Sequence, residues 1–172
     1  METFKRNFRL GCVLILLVLL FASSCDDDLE ESDGIVGKWM LKEMKMEFKA
    51  TDDGEVIVGT GVATNNNAEN YVIFKDDNTV NANSSVVQMV VTGSVDGEKV
   101  SYVQPLGANI PEQGSWSIKD DKITLIGGEE TAVYVIKTLT KSTLTLYGDE
   151  TLNPISGSPG DYFRMTLVYS RL

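Results

Sequence analysis

From residue 35 to the C-terminus, apolar side chains return at every second position in short runs, separated by clusters of Asp, Asn, Gly and Lys. Residues 132–139 (AVYVIKTL) and 162–171 (YFRMTLVYSR) show this most clearly. Their β-branched and aromatic residues recur at spacing two and no helix cap flanks them, so the period is that of strands. Residues 36–48 change phase: Trp39 and Leu41 share one face, whereas Met44, Met46 and Phe48 fall in the opposite phase. Such a switch predicts a β-bulge or bend near Lys42-Glu43, where an extra residue re-aims the strand. Further strands are predicted at 55–63, 71–75, 79–82, 85–92, 99–104, 115–118, 122–126 and 142–147. Asp52-Asp53-Gly54, Asp76-Asp77-Asn78, Asp96-Gly97, 119–121 and Thr140-Lys141 supply the turns between them.

Eight to ten short strands in sequence order predict an all-β antiparallel up-and-down meander, one domain spanning residues 35–172. A single open sheet of that size would leave two edges free to pair with other chains, and closure into a barrel removes them. With an even strand number the last strand runs antiparallel to the first, which brings Arg171 beside Trp39. A guanidinium over the indole would contribute roughly 0.5–2 kcal/mol and plug one barrel end; the alternative is that both residues sit at the rim without touching. Residues 105–111 and 148–160 read as long loops at the opposite end.

The N-terminal stretch changes where this barrel works. Lys5, Arg6 and Arg9 precede thirteen uncharged residues, 10–22, too short for a membrane span of about 20 residues. A basic start, a short apolar run and small residues before a break are the marks of a secretory leader, residues 1–24. Ala22-Ser23-Ser24-Cys25 resembles the lipobox of bacterial lipoproteins, although Ala22 stands where an aliphatic residue is usual. The resemblance implies cleavage before Cys25 and acylation of its thiol, hence a membrane partner reached through lipid. An ordinary signal peptide cut near Ser24 is the alternative. Residues 25–34 hold six acids and one apolar residue, Leu29, so like charges keep this tether solvated. Asp26, Asp27 and Asp28 resemble the surface-export signal of Bacteroidetes lipoproteins, which implies an outer-membrane protein facing the cell exterior.

Gly37-Lys38-Trp39 resembles the G-x-W of lipocalins. Phe74 with Asp77-Asn78-Thr79, Gly114-Ser115-Trp116-Ser117-Ile118 and the ending Thr166-Leu167-Val168-Tyr169-Ser170-Arg171 are similar to strands of lipocalin-like bacterial lipoproteins. The resemblance implies a lipocalin-like barrel closed around Gly37, Trp39 and Arg171, able to bind or carry a small hydrophobic ligand. Residues 84–107 add a valine-rich strand pair that the compact family pattern lacks. The inward set expected near Trp39 comprises Leu41, Ile73, Trp116, Ile118 and Tyr134. Ile136, Leu144, Leu146, Phe163, Met165 and Leu167 complete it. Read functionally these residues line a cavity; read structurally most of them are core.

Composition narrows the chemistry. The chain of 172 residues has no histidine, so the commonest general base is missing. Cys12 leaves with the leader and Cys25 carries lipid, which removes a thiol nucleophile, a disulfide and a cysteine metal site. Glu112, Glu129, Glu130, Asp149 and Glu150 could formally pair for glycoside hydrolysis but fall in turns and loops. Asp76-Asp77-Asn78 lacks calcium-loop spacing, so neither metal nor cofactor is expected. The formal net charge is −10, and removing the leader's three basic and one acidic side chains takes it to −12. With no basic block, nucleic acid is excluded as a partner. A non-catalytic ligand carrier is thus the first reading. A filled barrel acting as a structural or inhibitor-like module, with a protein partner, is the second.

Overall fold

A computed structural model describes residues 34–52, 54–64, 69–84, 87–107, 110–149 and 160–172. They form eleven antiparallel strands: β1 (Gly37–Asp52), β2 (Glu55–Thr64), β3 (Tyr71–Phe74), β4 (Thr79–Asn83), β5 (Val87–Val95), β6 (Glu98–Leu106), β7 (Gln113–Lys119), β8 (Lys122–Gly127), β9 (Glu130–Leu139), β10 (Thr143–Asp149) and β11 (Tyr162–Arg171). Eight of them close a ring in the order β1-β3-β4-β7-β8-β9-β10-β11, and β11 returns to β1. The other three, β2, β5 and β6, pair in that order onto β1 and form a wing outside the ring.

The length of β1 makes this division. Sixteen residues at about 3.3 Å each outrun the wall of a small barrel. Its first four, Gly37–Met40, pair with β3, whereas Glu43–Asp52 pair along the whole of β2. On its other side β1 follows β11 from Trp39 to Lys49. The register with β11 shifts between Leu41 and Glu43, at the expected bulge. The extra residue returns Met44 and Met46 to the side already taken by Trp39 and Leu41, and all four are buried. The Leu41 N–H donates to the Asn70 carbonyl at 2.9 Å, so the backbone group freed at the bulge is paired.

The strand pair at 84–107 is real, but it adds no stave to the barrel. Val87, Met89 and Val91 on β5 are buried beneath the wing. Gly61 is the socket for this contact: a Cβ there would lie 2.3 Å from Met89 Sδ and 3.2 Å from Met46 Cε. Gly59 likewise leaves space for the Phe48 ring, 2.7 Å from where its Cβ would stand. The wing's outer face carries an in-register row, Val62–Val90–Val103, with exposures of 46, 52 and 61 %.

One barrel end is plugged. The Trp39 indole is fully buried and its Nε1–H donates to the Ile35 carbonyl at 2.7 Å. Arg171, the Cα partner of Trp39, lies over the indole at 4.5 Å and donates to the Gly34 carbonyl. Across the barrel the Trp116 Nε1–H reaches the Lys75 carbonyl at 3.1 Å, and its ring meets Phe74 edge-on at 5.8 Å. The turn between them is an Asx turn, in which Asp77 Oδ1 accepts from the Thr79 N–H and hydroxyl. These bonds hold the Asp77 carboxyl below the usual range.

Two phenols, Tyr134 and Tyr169, are buried in the interior, and burial raises the pKa of both; Tyr134 adds to the effect at Tyr169. Below about pH 10 folded and unfolded phenols are alike neutral and this source costs nothing. Above it the unfolded chain releases protons that the native barrel retains, so stability falls as pH rises. A spectrophotometric titration of the six tyrosines should therefore show two phenolate signals that emerge only together with loss of the near-UV dichroism. Smooth ionisation of all six with the fold intact would contradict this burial.

Candidate functional site

Inward side chains in the middle of the barrel are packed solid. Trp39, Ile123, Leu125, Leu144, Leu146 and Leu167 have 0 % exposure. A side chain without accessible surface touches neither solvent nor a void wide enough for water, so this layer is core rather than cavity wall. Leu41, Trp116 and Tyr134 are buried alongside it. Ile118 and Ile136 flank the closed end and are half-buried against the same core.

Ile73 lies elsewhere. It pairs with Lys38, on the face opposite Trp39, while Val72 and Phe74 point inward and are buried. In Tyr71–Phe74 all four residues are apolar or aromatic, so alternation cannot choose the inner face; pairing with β1 does.

Toward the other end the packing loosens. Met165 is buried beside Met46, its Cα partner, and one rung further out Phe163 and its partner Phe48 are only half-buried. Met89 approaches from the wing, and Leu106 is half-buried at the edge of the same cluster. These six residues form an apolar cluster toward the end opposite Trp39, here termed the mouth. Three of the six are methionines, whose unbranched, polarisable side chains adapt to irregular apolar partners. Met46, Met89, Phe48 and Leu106 are not in the cavity set expected from the sequence. Recognising them required knowing that the long first strand and residues 87–106 meet.

Where β1 bulges, just before the start of β3, Asn70 is buried at 3 % exposure. It lines a niche of about 10 Å³ whose wall mixes apolar side chains (Leu41, Val72, Ala82, Ile110) with polar ones (Tyr71, Asn83, Ser84, Tyr169). In sequence it is one more polar residue in a loop; only the bulge contact marks it.

Glu112, Glu129 and Glu130 are exposed, away from the mouth cluster. Among the described residues no group of three or more His, Cys, Asp or Glu side chains is placed to hold a metal ion. Gly37 has φ +141° with the Arg171 guanidinium 3.8 Å from where a Cβ would lie, and Trp39 and Arg171 form the plug already described. Cys25, Asp26, Asp27 and Asp28 lie outside the described residues, as does Glu150.

Comparison with known proteins returns a family model described as a lipocalin-like domain, matching residues 35–146. No curated protein and no solved structure matches the chain.

Proposed function

The chain belongs to the lipocalin-like domain family, and on that premise we propose that it is a non-catalytic, lipid-anchored outer-membrane protein that takes a small hydrophobic ligand at the open end of its barrel. The observation that carries the binding reading is the change in packing along the axis. A close-packed core fills the barrel as far as Leu146 and Leu167, and beyond it Phe48 and Phe163 are only half-buried. Apolar concave surface with a few polar groups nearby is what small-molecule sites offer. The anchor rests on Ala22-Ser23-Ser24-Cys25, and the outward-facing location on Asp26–Asp28.

A second reading, a protein-binding module, draws on the exposed Val62–Val90–Val103 row. Such a row is the kind of surface that protein partners cover.

Mass spectrometry of the protein extracted from its own host tests both halves together. The denatured chain should begin at Cys25 and carry the mass of acyl chains. The native form should hold an additional small molecule that organic extraction removes. A mature chain starting elsewhere with a free thiol would sink the anchor. Repeated native spectra without a bound small molecule would turn the reading toward the protein-binding module.

A further inference from the structure

We propose that the outer edge of β6 docks a second copy of this chain, two-fold and antiparallel, with Ser101 opposite Ser101 of the second copy. β6 ends the sheet: β5 pairs with one side of it, and among the described residues no strand pairs with the other. Seven of its nine residues are exposed, with Tyr102 at 44 %. Unpaired backbone groups along such an edge are a template for a further strand.

The hairpin decides which groups that edge presents. Asp96 and Gly97, with φ +49° and +85°, form a two-residue loop closed by Val95 and Glu98. The closing pair exchanges hydrogen bonds, and bonded pairs then alternate along an antiparallel ladder. Glu98, Val100, Tyr102, Gln104 and Leu106 therefore bond to β5, and the backbone groups of Lys99, Ser101, Val103 and Pro105 turn outward. The Asp96 N–H, which donates to the Val56 carbonyl on β2, has the matching phase on the other side of β5. Pro105, opposite Gln88, has no N–H to give, and at an outward position the ladder with β5 loses nothing by it.

Pro105 also selects the register. With the axis at Ser101, Lys99 faces Val103 of the second copy, and every outward N–H on both strands meets a carbonyl. With the axis at Tyr102, Pro105 would face Lys99 and push its ring where a donor is needed. With the axis at Val100, Val103 would fall opposite the turn at Gly97 and lose its strand partner. The Ser101 register also sets Val100 against Tyr102 and Glu98 against Gln104, and no like charges oppose one another. Glu98 and Lys99 cancel within the strand, so it complements its own reverse in backbone groups, apolar pairs and charge. The aliphatic stem of Lys99 from the second copy would lie along Val103, the most exposed member of the outer valine row.

Cross-linking of the full chain, extracted in detergent from its own host, tests the axis itself. Residues in a bonded pair have Cα atoms about 5.5 Å apart, within disulfide range. Mild oxidation should convert most of Ser101→Cys into a covalent dimer on a non-reducing gel. Lys99→Cys and Val103→Cys each stand four residues, about 13 Å, from their own counterparts and should cross-link no more than wild type. Mixed with each other, those two should cross-link. By sedimentation the wild type should have the mass of a dimer and Ser101→Pro, which removes an N–H that β5 does not use, that of a monomer with unchanged near-UV dichroism. Should that variant not fold, Val103→Lys, which sets like charge opposite Lys99 at an exposed position, should have the same effect. A monomeric wild type overturns the proposal, as does cross-linking of Lys99→Cys or Val103→Cys alone to the level of Ser101→Cys. A different protein that accompanies the wild type and is lost from Ser101→Pro would show a foreign strand at the edge and overturn it too. The ligand reading at the mouth is independent of all these outcomes.

Discussion

Trp39→Ala should remove about 3–5 kcal/mol of folding free energy, the range for truncating a buried large aromatic. Three losses coincide in it. The indole is fully buried, its N–H is the donor to the Ile35 carbonyl, and its face is the seat of the Arg171 guanidinium. Against a total stability of about 5–15 kcal/mol for a domain, such a loss brings the barrel close to unfolding at ambient temperature. Denaturant titration followed by the fluorescence of Trp116, the other tryptophan, measures it. Trp39→Phe keeps a ring under Arg171 but not the N–H, and should retain most of the difference. A loss below about 2 kcal/mol for the alanine variant would show that the closed end is not part of the cooperative core.

Gly93→Val should separate the wing's two outer strands from β2. Gly93 faces Gly59 across the β2–β5 ladder, and a Cβ at Gly93 would stand 2.1 Å from the Val58 carbonyl oxygen and 2.9 Å from the Gly59 Cα. Both are backbone atoms, so no rotamer change relieves the overlap. The expected cost is at the upper end of the usual overpacking range, about 3 kcal/mol. Hydrogen exchange should speed up at the amides of Val87–Val95 while those of β9 and β10 keep their order of protection. Gly107→Ala, with open space around it and no left-handed backbone, is the matched control and should stay within about 0.5 kcal/mol of wild type. Unchanged protection in β5 of Gly93→Val would mean that the two strands are not held at this register.

The outcome for the sequence reading differs from element to element. The bulge was legible because a strand buried on one face can invert its alternation only by gaining or losing a residue against its neighbour. The strands at 87–95 and 98–106 were legible as strands, yet their place outside the ring was not. Alternation at Val87, Met89 and Val91 says that one face is buried and is silent on what covers it. Gly59 and Gly61 each leave the space that a larger side chain occupies, Phe48 and Met89 respectively, and only the strand pairing reveals which. Ile73 went to the wrong face because its segment has no polar residue to mark the outside. Asn70 was missed because its burial depends on a gap between β2 and β3 that exists only once β1 has exchanged one neighbour for the other.

The plug at Trp39 also decides which pole of the barrel meets the rest of the chain. Gly34 touches Arg171 there, and the Leu172 N–H donates to the Lys38 carbonyl at 2.9 Å, so both ends of the described chain leave from one pole. The mouth lies toward the other. A label added after Leu172 therefore emerges at the plugged pole, away from the mouth.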